Sequence, residues 1–130
     1  MNLPLDEYTK LLGAEVHEVK PGYAVVKAKA PNSACNFNGV VHGGYIFSLA
    51  DIAFAYASNA GGRMALALDM YISYRKALKP GKLVEAVARE VQRSGRTALY
   101  TIEVSSEGEL IAYVTATVYL LDKEPGAPCI

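Results

Sequence analysis

The chain has 130 residues, 52% of them apolar, and its 13 basic residues balance its 13 acidic ones. That length fits one domain with a substantial core. The absence of net charge, and of any dense basic run, argues against nucleic acid or an acidic membrane as the partner.

The first residues, Met-Asn-Leu-Pro-Leu-Asp-Glu-Tyr, lack the basic and apolar regions of a signal peptide, so a cytoplasmic protein is expected. Leu5 to Leu12 predicts a short helix that stops at Gly13. Ala14 to Val19 and Tyr23 to Ala30 alternate as strands around the turn Lys20-Pro21-Gly22 and form a hairpin. Pro31 to Val41 is a loop. Cys35 within it and Cys129 near the end make neither a disulfide framework nor a metal-ligand spacing, and no metal is expected. From about His42 to Asn59 a helix is predicted on which Tyr45, Ile46, Phe47, Leu49, Ile52 and Phe54, with alanines between them, cover every face. Such a helix is a buried one, and this one is too short, and too interrupted by Asp51, to span a membrane. Asp51 is the one formal charge between Tyr45 and Gly62, and burying a carboxylate is costly without a partner.

Four more strands are predicted, at Ala65 to Lys76, Leu83 to Val91, Arg96 to Val104 and Leu110 to Leu121. The last three are joined by turns at Arg93-Ser94-Gly95 and Ser106-Glu107-Gly108. The tail 122–130, with two prolines and a glycine, is expected to fray. Together these elements predict a single α+β domain over 1–130, with an antiparallel sheet, ending in a four-strand meander, wrapped around one long central helix. The sheet covers one side of that helix, and a second subunit is the expected cover for the rest.

The pattern Asn36-x-x-Gly39-x-x-His42-Gly43-Gly44-x-x-x-x-Leu49-Ala50-Asp51 resembles the hotdog-fold acyl-CoA thioesterases, and among them the phenylacetic-acid-degradation (PaaI-type) subgroup. The similarity extends over roughly Leu11 to Leu121. It implies a hotdog dimer, often paired into a homotetramer, acting on an acyl-CoA without metal or redox cofactor, coenzyme A being part of the substrate. It further implies that Asp51 is the catalytic carboxylate, as nucleophile or as general base on water. Gly43 then supplies the backbone N–H that polarises the thioester carbonyl, and Asn36 and His42 orient substrate, water or loop. The segment Arg93-Ser94-Gly95-Arg96-Thr97 lies where relatives contact coenzyme A.

Physical chemistry assigns the same residues compatible tasks. Thioester hydrolysis needs a nucleophile or activated water, donors placed where the oxyanion forms, and an apolar acyl pocket. The helix start offers unpaired N–H groups and a favourable dipole, and glycines at 43 and 44 let a substrate approach the backbone closely. Gly43 and Asp51 are eight residues apart, roughly 12 Å along a helix axis, so a single carbonyl cannot touch both in one chain. A continuous helix therefore implies a site shared between two chains.

Each residue also has a plainer reading. Asp51 can be a structural carboxylate, His42 a helix cap, and Asn36 an ordinary turn residue. Ser48 is not in a nucleophile elbow, and nothing in their spacing makes Cys35, His42 and Asp51 converge as a cysteine triad. Asp69 is a charge in an apolar strand without an assigned function. Arg75, Lys76, Lys79 and Lys82 around one turn, and Arg93 and Arg96 around another, either contact coenzyme A phosphates or are solvated strand ends. Tyr45, Phe54 and Tyr71 either line an acyl pocket or pack the core. The competing functions are a hydratase or dehydratase of acyl thioesters and a non-catalytic acyl-CoA-binding module.

Overall fold

The computed structural model describes residues 3–127; Cys129 and the last residues of the tail expected to fray lie outside them. In chain order the elements are α1 (Glu7–Leu11), β1 (Glu15–Lys20), β2 (Tyr23–Lys29), a 3-10 turn (Asn32–Ala34), α2 (Gly43–Asn59), β3 (Ala65–Tyr74), β4 (Leu83–Ser94), β5 (Thr97–Ser106) and β6 (Glu109–Leu120). The strands form one antiparallel sheet in the order β1-β2-β4-β5-β6-β3. The expected meander is thus three strands long, not four. Strand β3 leaves it, crosses to the far edge and pairs with β6, from Ala65 opposite Leu120 to Tyr74 opposite Ala112, while β2 takes the place beside β4. The reason lies in the connections. Residues 95–96 and 107–108 are two-residue hairpin turns, with Glu107 and Gly108 both at positive φ (51° and 75°), whereas 75–82 is too long for a tight hairpin and carries the chain across the sheet.

Helix α2 lies against the inner face of this sheet. Alanines 24, 28, 86 and 88 on β2 and β4 let it approach closely, and Leu49, Phe54, Tyr100, Ile102 and Val114 fill the space between, all 1% exposed or less. The Phe54 ring meets Tyr100 edge-on with centroids 5.3 Å apart. Fully burying one such side chain contributes about 1.5–3 kcal/mol. Extra residues at His17, Leu68, Val91 and Ile111 interrupt the ladders as bulges, and bulges bend a sheet, here around the helix.

The helix is not covered on every side. Gly44, Asp51 and Ala55 are exposed and Phe47 and Ser48 half-buried, so one stripe of α2 faces outward. Glycine and alanine can occupy such a stripe because little apolar area is left wet. On one flank runs the N-terminal segment: the Tyr56 hydroxyl donates to the Pro4 carbonyl (2.7 Å) and accepts from the Asp6 N–H (3.1 Å), while the Tyr8 and Ser48 hydroxyls meet at 2.8 Å. On the other flank is β3, whose outer edge has no strand beside it and whose Leu66, Leu68, Tyr71 and Tyr74 are exposed. After β6, Asp122 pairs with Arg63 (3.1 Å) and Arg96 (2.6 Å), and the Lys123 carbonyl accepts from the Met64 N–H (2.7 Å). Among the described residues no helix is long and apolar enough to cross a membrane.

Candidate active site

The segment before α2 is a small closed loop. Cys35 and Val41 form an isolated bridge, and the Asn36 N–H donates to the Val40 carbonyl at 2.8 Å. The Asn36 side-chain oxygen accepts from the N–H groups of Asn38 (2.8 Å) and Val40 (3.4 Å). That oxygen is thus engaged in shaping the loop, which is the turn-residue role. His42 is the helix N-cap: its Nδ1 accepts from the Gly44 N–H at 3.0 Å. An accepting Nδ1 carries no proton, so a neutral ring holds its hydrogen on Nε2.

With Gly44 bonded to the cap, the unspent donor of the first turn is Gly43. Among the described residues no acceptor lies within reach of its N–H. Gly43 is also a place where only glycine fits without movement, since a Cβ there would lie 3.0 Å from Tyr74 Cζ and 3.1 Å from its hydroxyl oxygen. Tyr74 donates to the Gly43 carbonyl at 2.9 Å. Gly43, Ile46, Tyr74, Arg75 and Leu78 line a cleft of about 310 Å³. Tyr74 has no place in the sequence motif and was not singled out; its one sequence signal is an aromatic at the end of β3, beside Arg75.

Asp51 lies on the outward stripe of the same unbroken helix, so the roughly 12 Å axial separation from Gly43 stands. It is accessible in the single chain, not the buried charge that an all-apolar helix suggested. Its surroundings are crowded enough that lost hydration, and secondarily the nearby Asp6 carboxylate, hold its carboxyl above its ordinary value of 3.8. Both effects make Asp51 a better proton acceptor at the pH where it ionises.

Asn36, His42, Gly43, Gly44 and Arg75 thus gather at the helix start, and the 93–97 hairpin does not join them within the chain. Thr97 pairs with Tyr119, next to Leu120, which pairs with Ala65; Ala65 in turn exchanges hydrogen bonds with Asn59 at the far end of α2. The hairpin's cations are engaged: Arg93 bonds Glu90 through Nε (3.0 Å) and Nη2 (2.7 Å), and Arg96 bonds Asp122. Thr97 donates to the Ser94 carbonyl across Gly95 at 3.1 Å. Near the helix start Lys76 pairs with Glu109 and Lys82 with Glu107. Among the described residues no group of three His, Cys, Asp or Glu side chains is arranged to hold a metal.

An antiparallel sheet curled around one long helix, whose glycine-led start has a free N–H and whose third turn has a carboxylate, is the architecture of a hotdog-fold enzyme. Residues 38–113, more than half the chain, match the model of the thioesterase superfamily, and the chain belongs to that family of thioester hydrolases. It is 33% identical to the acyl-coenzyme A thioesterase PaaI of Escherichia coli over 102 residues, 78% of this chain and 73% of that protein. A mutant structure of the phenylacetic acid degradation protein PaaI from Thermus thermophilus superposes with a TM-score of 0.86 at 44% identity, covering 89% of this chain and all of that one. A hypothetical thioesterase protein from Streptococcus pneumoniae, solved with coenzyme A, superposes with a TM-score of 0.81 at 25% identity, covering 86% and 91%.

Proposed function

We propose that the protein hydrolyses an acyl-CoA of aryl-acetyl or medium-chain type to the free acid and coenzyme A, at a site built by two copies of the chain. The observation that carries this reading is the unspent Gly43 N–H at the start of an unbroken helix, roughly 12 Å from the Asp51 carboxylate. The N–H of one copy polarises the thioester carbonyl. Asp51 of the other attacks that carbonyl, or takes a proton from the water that does. The thiolate of coenzyme A leaves and is protonated, and one water is consumed overall. His42 and Asn36 hold the helix start in shape, and Gly44 keeps the approach open. Water and substrate suffice, with no further cofactor.

The edge strand supports the assembly. Alternate residues of the ten-residue β3 point their N–H and C=O groups to an edge with no neighbouring strand among the described residues, and exposed apolar side chains line it; such an edge is a template for another strand. A copy docked there antiparallel brings two α2 helices side by side in opposite directions, so the start of one lies beside the middle of the other. The 93–97 hairpin is then a candidate for the coenzyme A end of the substrate, reaching it from another copy, which a homotetramer would provide. The names of the PaaI relatives, which refer to phenylacetic acid degradation, favour an aryl-acetyl group.

The test is to mix two inactive variants, Asp51→Ala and Gly43→Pro, and follow thiol release from phenylacetyl-CoA and octanoyl-CoA. Each verified heterodimer holds one intact site, so half the parent activity per dimer should return. No recovery would refute the shared site. Hydration of an enoyl-CoA without thiol release, or binding without turnover, would refute hydrolysis itself.

A further inference from the structure

Asp69 is the one charged residue on β3, and its side-chain parity places it on the outer face, opposite Thr117 of β6. Arg75 is the first cation past the end of β3. Its parity matches Asp69, and its guanidinium reaches the Ser73 hydroxyl at 3.1 Å. Among the described residues neither has an ion-pair partner within its own chain.

The geometry of α2 against β3 fixes where a two-fold axis must fall if the site is shared. The helix runs antiparallel to the strand, with Gly43 level with Tyr74 and Asn59 level with Ala65. Asp51 is midway between 43 and 59, and so lies level with the midpoint of 65 and 74, between Asp69 and Met70. Setting Asp51 of one copy beside Gly43 of the other places the axis midway between that point and Tyr74, which is at about Ile72. Residues whose numbers sum to 144 then face each other, and directly opposed residues of an antiparallel pair share a face. Asp69 plus Arg75 is such a pair, and the symmetry makes it occur twice. Moving the axis by one residue would set Asp69 opposite Ser73 or Ala77, and moving it by three toward the N-terminus would set Asp69 opposite its own copy.

We infer that Asp69 and Arg75 pair across the β3 edges of two copies and fix the register that brings Asp51 beside the second copy's Gly43. Both are positioning residues, and Arg75 acts through the interface instead of on a phosphate. The inference rests on the shared-site reading for the position of the axis. The charge match is a separate observation that agrees with that position.

The experiment uses charge reversal in the full chain, with the dimer constant from sedimentation and thiol release from acyl-CoA measured in parallel. Asp69→Arg and Arg75→Asp each place two like-charge pairs in the interface and should weaken the dimer about 100-fold or more. Mixed together, the two variants face each other with opposite charges at both positions, so they should form 1:1 heterodimers and regain thiol release. The double variant D69R/R75D should likewise recover as a homodimer. Single variants that dimerise like the parent, or a mixture no stronger than its components, would overturn the pairing. So would an Arg75→Asp whose KM rises with its dimer intact and unrescued by Asp69→Arg, the pattern of a phosphate ligand. Should a reversed chain not fold, Asp69→Asn and Arg75→Gln serve instead: losses smaller together than their sum support the pair, and additive losses refute it. Heterodimer preference without thiol release in any combination, the parent included, would leave the pair standing and defeat the thioesterase reading.

Discussion

Replacing Gly43 by proline separates the chemistry of one N–H from the stability of the helix it begins. Position 43 is the first helical residue, where proline's fixed φ suits the helix and its missing N–H is one the helix does not use. The preceding His42, at φ −60° and ψ 137°, already has the extended backbone that proline demands of its neighbour. The cost is steric: a Cβ at 43 meets Tyr74 Cζ at 3.0 Å. Tyr74 is 49% exposed, so its ring can tilt away, giving up its hydrogen bond to the Gly43 carbonyl, worth about 1 kcal/mol. Gly43→Ala suffers the same contact and keeps the N–H. Both variants should therefore unfold within about 1–2 kcal/mol of the parent in urea. In initial-rate assays of thiol release, proline should lie a further 10²–10³-fold below alanine in kcat, roughly 3–4 kcal/mol, the magnitude of one lost oxyanion donor. Equal rates for the two, with both folded, would mean that the Gly43 N–H does not touch the transition state.

Other expectations follow from the same geometry. Asp51→Asn should cut kcat by roughly 10²–10⁴ while raising the melting temperature at pH 7. The folded state holds the Asp51 carboxyl above 3.8, so its favourable contribution is complete below the unfolded value and is lost as pH rises through the folded one; the thermal advantage of asparagine should fade in acid. Asp6→Asn removes the charge that adds to this shift but still caps α1. The acid limb of kcat/KM should move to lower pH, and an unmoved limb would detach Asp51 from it. Phe54→Ala, at a position 1% exposed and packed on Tyr100, should cost about 3–5 kcal/mol in chemical denaturation.

Much of the fold was legible because its signals are local. The turn residues at 107–108 and the alternation of β5 and β6 place strands without reference to anything distant, and the helix start at His42 and Gly43 follows from capping chemistry. The position of β3 was not legible: strands that alternate equally well carry no mark of which neighbour they take, and only the length of 75–82 hints at a crossing. The open stripe of α2 was hidden by counting alanines as buried, although Gly44, Ser48, Asp51 and Ala55 recur at the spacing of one helical face. Around the site, the motif brought together Asn36, His42 and Gly43. Tyr74 escaped notice because its contact with Gly43 spans 31 residues. The 93–97 hairpin could not be located from its composition, and its arginines, which look available in sequence, are each held by a carboxylate.

The double hydrogen bond of Tyr56 with Pro4 and Asp6 has a consequence for the order of events at the ribosome. These contacts span up to 52 residues, so at roughly 5–20 residues per second the opening segment is made several seconds before the tyrosine that will anchor it. It must stay loose until α2 has formed, and is then laid over the finished helix beside Asp51. A bulky fusion partner attached ahead of Leu3 would therefore be delivered to the flank of the stripe that carries Asp51, and one attached after the tail would arrive beside it, because Pro125, Gly126 and Ala127 share a cleft with Leu3, Pro4 and Asp6.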